Sequence, residues 1–339
     1  MLRRGLGLVL VLLGLSSVTS AQEALRIVAT TTQAADLSRI IVGERLNAGV
    51  EVIGLMGAGV DPHLYKPTEA NIEAMSQAQM IVYSGLHLEG QFDEVFEALS
   101  ERGVRIVKLA EPIEREGYAM TSLDAEAGSE ARPDPHFWFD PRNWQLSASY
   151  LAEQLGLADP DHADTYRQNA ERYTAQLDLL YAWALEGMMS VPEAQRTLVT
   201  SHDAFQYFGV AFGWQMVAVQ GISTADEAGV GDIEAIVNFV IENNIPVMFV
   251  ESSVPPSTIQ AVQEAIQAQG ASVALGIREL YSDAMGASES YGGTYIGMIA
   301  ENVLTILQSY QAQGVALSIP PYPAELEPAL PAELLAGAG

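Results

Sequence analysis

The 339-residue chain carries 43 acidic and only 16 basic residues, and its formal net charge of −27 argues against nucleic acid as a partner, because such partners require a basic surface. It contains no cysteine, so we expect no disulfide, no thiolate metal site and no cysteine-linked lipid anchor. The apolar fraction of 49% at this length predicts about two domains with ordinary cores.

The first 21 residues have the layout of a secretory signal peptide. Arg3 and Arg4 precede an apolar run, and small residues follow up to a predicted cleavage point near Ser20 or Ala21. The apolar run is too short to cross a membrane as a helix. We therefore expect an exported protein located in the periplasm.

The next part of the chain alternates strands with helices. Strands are predicted at 25–29, 50–55, 80–83 and 104–109, and helices at 33–42, 68–78 and 91–101. This alternation predicts βαβ units and a mainly parallel sheet. A polar, acidic loop is predicted at 111–132.

Two helices are predicted in the middle of the chain, at 143–155 and 163–186. The second has an apolar and aromatic stripe with spacings of three and four, formed by Tyr166, Ala170, Tyr173, Leu177, Leu180 and Ala184. This stripe predicts packing rather than a binding surface.

The α/β pattern then resumes. Strands are predicted at 197–200, 214–219, 247–250 and 272–275, and helices at 204–208, 231–243, 257–268 and 294–311. The predicted fold class is α/β, with two similar lobes whose mainly parallel four-stranded sheets are joined by a long rigid helix.

The predicted divisions are a signal peptide at 1–21, an N-terminal lobe at 24–142, a helical connection at 143–192, a C-terminal lobe at 193–312 and a loosely ordered Pro/Ala-rich tail at 313–339.

Two of the five histidines occupy the same tripeptide, Asp-Pro-His, at Asp61–His63 and Asp134–His136. Proline fixes φ and keeps the preceding aspartate extended, so each copy is a stiff bend. The aspartate or a nearby carbonyl can orient one ring nitrogen and leave the other for a metal.

Ligands of open α/β sheets bind at the carboxyl ends of the strands. His63 and His202 follow predicted strands, Asp283 lies in the loop after the last strand, and His136 lies where the first lobe meets the helical connection. Three imidazoles and one carboxylate suit Zn²⁺, and also Mn²⁺ if the carboxylate binds through both oxygens.

Three other residues are candidates for a role at or near this site. His87 also follows a strand and is the rival ligand, although a structural role, or one supporting a ligand without touching the ion, is favoured. His162 lies at the acidic start of a helix and is predicted to face solvent. Glu251 is the one carboxylate nominated as a general base if the site is catalytic.

The chain resembles the solute-binding proteins of zinc/manganese ABC transporters, the metal-binding subgroup called cluster A. The matching segments, in the family's order, are 61–68, 83–89, 134–141, 200–208, 249–253 and 280–286. The resemblance implies a metal held in the cleft between the lobes at His63, His136, His202 and Asp283. It also implies a rigid connecting helix and delivery of the ion to a membrane permease.

The chain departs from the family pattern in three ways. Lys66 stands where many members have glutamate, and His202 stands where some manganese-type members have glutamate. A third nitrogen favours Zn²⁺ by the Irving–Williams order. The 111–132 loop, however, lacks the histidines that dedicated zinc members often carry there. The choice between Zn²⁺ and Mn²⁺ stays open at this point.

The sequence is compatible with three functions. Metal capture without catalysis is favoured, with the ion as transported ligand and the chain acting as a monomer beside its permease. A zinc hydrolase requires an open coordination position, which four protein ligands leave no room for. A surface adhesin is disfavoured by the missing lipid anchor.

Overall fold

The computed structural model describes residues 24–121, 132–225 and 228–335. The predicted signal peptide at 1–21 and residues 122–131 of the acidic loop lie outside these ranges.

The first lobe is built on one parallel sheet. Its strands are β1 (Leu25–Ala29), β2 (Val50–Gly54), β3 (Met80–Tyr83) and β4 (Arg105–Lys108), in the order β2-β1-β3-β4. Its helices are α1 (Thr32–Val42), α2 (Glu69–Ser76), α3 (Asp93–Glu101) and α4 (Glu111–Arg115). Helix α4 lies where a loop was predicted; Pro112 is compatible with a first helical turn, and five residues are too few to show periodicity.

The sheet is buried on both faces, as parallel sheets usually are. In β1, Ile27 and Ala29 pack into the core shared with α1, whereas Val28 between them packs with Met75 and Phe92 on the other side. This alternation follows from the two-residue period of a strand.

Two long helices connect the lobes, α5 (Pro141–Ala158) and α6 (Ala163–Met189). The 27 residues of α6 span about 40 Å at ~1.5 Å per residue. Every member of its predicted stripe is buried, which confirms the packing role of that face. Within the described ranges, no helix combines the length and apolarity needed to cross a membrane.

The second lobe is also built from parallel strands and helices. Its strands are β5 (Thr197–His202), β6 (Gln215–Gln220), β7 (Val247–Met248) and β8 (Ala274–Leu275), paired in parallel as β5-β6 and β7-β8. A hydrogen bond from Phe249 N to Val199 O, at 2.9 Å, places β7 beside β5. Its helices are α7 (Gln206–Phe212), α8 (Val230–Glu242), α9 (Ser257–Ala268) and α10 (Tyr295–Ala312). The predicted fold class is confirmed.

The expectation of a loosely ordered tail is wrong for residues 315–334. Leu326 is buried, Trp183 Nε1 donates to Pro320 O at 3.1 Å, and Gln308 Nε2 donates at 2.6 Å to the carbonyl oxygen of Leu334 in the short helix α11 (Ala332–Leu335). The proline-rich composition suggested a solvated chain, but its few apolar side chains pack on α6 and α10.

Candidate metal centre

The structure brings the four predicted ligands together. One ligand atom from each of His63, His136, His202 and Asp283 lies within 4.8 Å of the others. Over 24–121, 132–225 and 228–335, these residues form the one group of three or more potential ligands with this geometry. His63 is half-buried, and the other three are buried.

The spacing of the four side chains matches a single small cation. His136 Nε2 lies 3.3 Å from His63 Nε2 and 3.1 Å from His202 Nε2. Asp283 Oδ1 lies 3.2 Å from His136 Nε2, and Oδ2 lies 3.6 Å from His202 Nε2. A tetrahedral Zn²⁺ with ligands at ~2.0–2.1 Å places neighbouring ligand atoms about 3.3 Å apart. The residues present therefore fit a metal of this class.

The two Asp-Pro-His segments form the same turn. Asp61 Oδ1 accepts the backbone N–H of His63 at 2.8 Å, and Asp134 Oδ1 accepts that of His136 at 2.9 Å. Asp134 Oδ1 also lies 2.7 Å from His136 Nδ1, so it holds that ring and leaves Nε2 to the centre. The aromatic beside His136 is Trp138, whose ring meets the imidazole edge-on at 5.3 Å.

His202 ends β5 and enters the site from the second lobe. Its Nδ1 lies 2.8 Å from Gly221 O, to which it donates, so Nε2 is again the free nitrogen. Its backbone N–H donates to Glu251 Oε1 at 2.9 Å. The end of the strand is thus fixed by a buried carboxylate.

Asp283 supplies the only ligand oxygens of the group. Its side chain is buried, and within the described residues the nearest polar groups to its two oxygens are the ring nitrogens of His136 and His202. A buried carboxylate is costly unless a positive charge lies beside it, either a protonated imidazole or a metal ion. Its two oxygens therefore have the chemistry of metal ligands.

The charges of the site shift its pKa values strongly. Burial by itself lowers the pKa of His136, but the carboxylates of Asp134 and Asp283 outweigh it and raise this pKa to about 10. Burial lowers the pKa of His63 to about 3. Burial by itself raises the pKa of Asp283, but the charges of His202 and His136 bring it well below 3.8. Without metal, His136 therefore holds a proton between two carboxylates.

Two histidines stay outside the group. The side chain of His87 is 78% exposed, with Nδ1 3.5 Å from Asp93 Oδ2, so the rival ligand is not part of this centre. His162 is half-buried rather than fully solvent-facing, because its Nδ1 bonds Asp159 Oδ1 at 2.9 Å.

Several contacts at the site are not predicted by the sequence. Thr224 Oγ1 donates to Asp61 Oδ2 at 2.6 Å, Gln33 Nε2 donates to Asp283 O at 3.1 Å, and Gly221 O orients His202. The segment Thr30–Gln33 directly follows β1, and this position at the end of a strand is the one sequence feature that could have indicated a role for Gln33 at the site. Every residue has a backbone carbonyl, so the sequence could not indicate that the carbonyl of Gly221 orients His202.

Comparison with known proteins decides the family. The family model described as ZnuA, "Zinc-uptake complex component A periplasmic", matches residues 27–309. The chain belongs to the ZnuA family. Because the family is defined as a component of an uptake complex, its members are transport proteins rather than enzymes.

Curated relatives in this family differ in the metal they are named for. The manganese-binding lipoprotein MntA of Bacillus subtilis is 38% identical over 294 residues, 87% of this chain and 92% of MntA. The zinc-binding protein TroA of Treponema pallidum is 40% identical over 259 residues, 76% of this chain and 81% of TroA.

A solved structure has the same architecture. The periplasmic zinc-binding protein TroA of Treponema pallidum superimposes with a TM-score of 0.77 at 38% identity, covering 84% of this chain and 99% of TroA. The two-lobed arrangement is thus that of this ZnuA-family structure.

Proposed function

We propose that this protein captures a divalent transition metal between its lobes and delivers it to an ABC permease for import. His63, His136, His202 and Asp283 bind the ion. The observation that carries the proposal is the convergence of three imidazole nitrogens on a buried carboxylate that has no other polar partner among the described residues.

The cargo is Zn²⁺ or Mn²⁺. Three nitrogens favour Zn²⁺. The two oxygens of Asp283 face different imidazoles, 3.2 Å from His136 Nε2 and 3.6 Å from His202 Nε2. Binding through both oxygens gives a five-coordinate shell that Mn²⁺ accepts as well. One relative, TroA, is named for zinc binding and another, MntA, for manganese binding, so both ions are kept as candidate cargo.

The proposed working unit is a monomer with lobes at 24–142 and 193–312, a helical connection at 143–192 and a tail that packs on the protein at 315–334. A ligand from each side of the cleft lets lobe movement open or close the site. The acidic surface, with a net charge of −27, supports a role without nucleic acid.

We place the protein in the periplasm. MntA is named a lipoprotein, whereas this 339-residue sequence has no cysteine to carry a lipid. This supports a form released from its leader at 1–21 rather than an anchored one. Fractionation of cells that express the full chain checks this, since an anchored form stays with the membranes.

A hydrolase is the weaker alternative. The pKa of Glu251 is raised to about 7 by burial, which suits a general base. Its Oε1, however, binds the backbone of His202, and four protein ligands fill a zinc shell. An adhesin has no supporting feature among the described residues.

Metal uptake tests the proposal. A strain lacking this gene is grown with chelator, and accumulation of zinc and manganese is measured after complementation with the wild type or with His136→Ala. We expect the wild type to restore uptake and the variant to fail. Equal uptake with both, or none with either, contradicts the proposal.

A further inference from the structure

The backbone around Asp283 is held by both lobes. Asp283 follows β8 in the second lobe, yet Gln33 Nε2, at the start of α1 in the first lobe, donates to its carbonyl oxygen at 3.1 Å. Thr32 Oγ1 accepts the backbone N–H of Met285 at 2.9 Å. From its own lobe, Ser253 Oγ accepts the N–H of Asp283 at 3.2 Å.

The two first-lobe side chains act as one unit. Thr32 Oγ1 donates to Gln33 Oε1 at 2.9 Å, which turns the amide nitrogen of Gln33 toward Asp283 O. Gln33 is only 1% exposed, so its amide must find its partners inside the protein. Thr31, which caps α1 by accepting Ala34 N–H at 3.1 Å, fixes the position of both residues.

This support reaches Asp283 through its backbone alone. None of these contacts uses its carboxylate oxygens, which face the imidazoles of His136 and His202 and remain available to a metal. Mutation of contacts that orient a metal ligand typically costs about 10–100-fold in metal affinity. Here they also cross the boundary between the lobes.

We propose that Gln33 and Thr32 are positioning residues that set the Asp283 carboxylate against the three imidazoles. Because both bonds cross between lobes, separation of the lobes breaks them and withdraws Asp283 from the ion. Metal retention is thereby coupled to lobe contact. This inference rests on the proposed metal-binding function.

The test compares two buried glutamines. Gln33→Met removes the donor to Asp283 O. Gln308→Met is the matched control, since Gln308 is also 1% exposed and its Nε2 donates to a backbone oxygen, Leu334 O, away from the metal group. Zinc affinity is measured by competition with a chelator, and the visible absorption of the Co²⁺-loaded proteins reports coordination geometry.

We expect Gln33→Met to weaken zinc binding by about 10–100-fold and to change the Co²⁺ spectrum. Gln308→Met should leave both at wild-type values. Thr32→Val should behave like Gln33→Met, and Thr32→Ser, which keeps the hydroxyl, like the wild type. If Gln33→Met does not fold, the comparison of Thr32→Val with Thr32→Ser tests the positioning role instead.

Two failures are distinguishable. Absence of zinc binding by the wild type overturns the proposed function and the inference with it. Binding by the wild type with unchanged affinity and spectrum in Gln33→Met and Thr32→Val overturns the positioning role alone.

Discussion

The three imidazoles of the site differ in what holds them, although two of them occupy the same tripeptide. Asp134 bonds both the backbone and the ring of His136. Asp61 Oδ1 accepts a hydrogen bond from the backbone of His63, and its Oδ2 accepts one from Thr224 Oγ1 in the second lobe. The first copy of the motif thus links the lobes, whereas the second fixes a ring.

Removal of single ligands gives the first prediction. His63→Ala and His202→Ala should each weaken zinc binding by more than the ~10–100-fold typical of a supporting contact, because each removes a donor atom. His87→Ala is the control, since its side chain is 78% exposed and lies outside the group. Calorimetric titration measures all three. Loss of binding with His87→Ala alone contradicts the assignment.

Proton release gives the second prediction. The pKa of His136 is raised to about 10, so at pH 8 this imidazole carries a proton that an incoming metal must displace. The metal-bound form is unprotonated, so affinity should rise with pH up to that pKa and fall as pH is lowered. His63, whose pKa is lowered to about 3, contributes no proton at pH 8.

Titration of zinc at pH 8 in buffers of different ionisation enthalpy counts the released protons. We expect at least about one proton per metal ion. A binding enthalpy independent of the buffer means that no proton is released and contradicts the pKa of His136 given above.

At the scale of elements, α6 is the support against which other helices pack. Its buried face carries residues in contact with the large core cluster, whereas its other face is exposed. Long helices gain most of their stability from such tertiary contacts rather than from intrinsic propensity.

Adjacent leucines of α6 give the third prediction. Leu180 is fully buried, and Leu179 is 39% exposed. Leu180→Ala should lower the free energy of unfolding by about 2–5 kcal/mol because it leaves a cavity. Leu179→Ala should lower the free energy of unfolding by less than about 1 kcal/mol. Urea denaturation of both variants checks this, and equal midpoints contradict the packing described for α6.

The hydrophobic periodicity of the sequence predicts an element correctly when the element is long enough to contain a recognisable repeat. The stripe of α6 and the strands β1 and β3 were predictable, since 27 residues show helical spacing and buried strands show as apolar runs. Helix α4 was missed because five residues show no period. The order of the tail was missed because it depends on pockets supplied by α6 and α10.

At the scale of the molecule, the convergence of the four candidate side chains could be predicted because parallel strands bring their carboxyl ends to one edge. His63, His202 and Asp283 come from such ends in two lobes. The cross-lobe bonds could not be predicted, because Gln33 and Asp283 are 250 positions apart and no local pattern links them. The fold alone decides that these residues meet.

The central claim is that three imidazoles and one carboxylate surround a single ion. X-ray absorption at the zinc edge of the zinc-loaded wild type tests it most directly. The structure predicts three imidazole nitrogens at about 2.0–2.1 Å and carboxylate oxygen at about 2.0–2.2 Å, with no water required to complete the shell. Fewer than three imidazoles, or a water in place of Asp283, would contradict the account and favour an open, hydrolytic site.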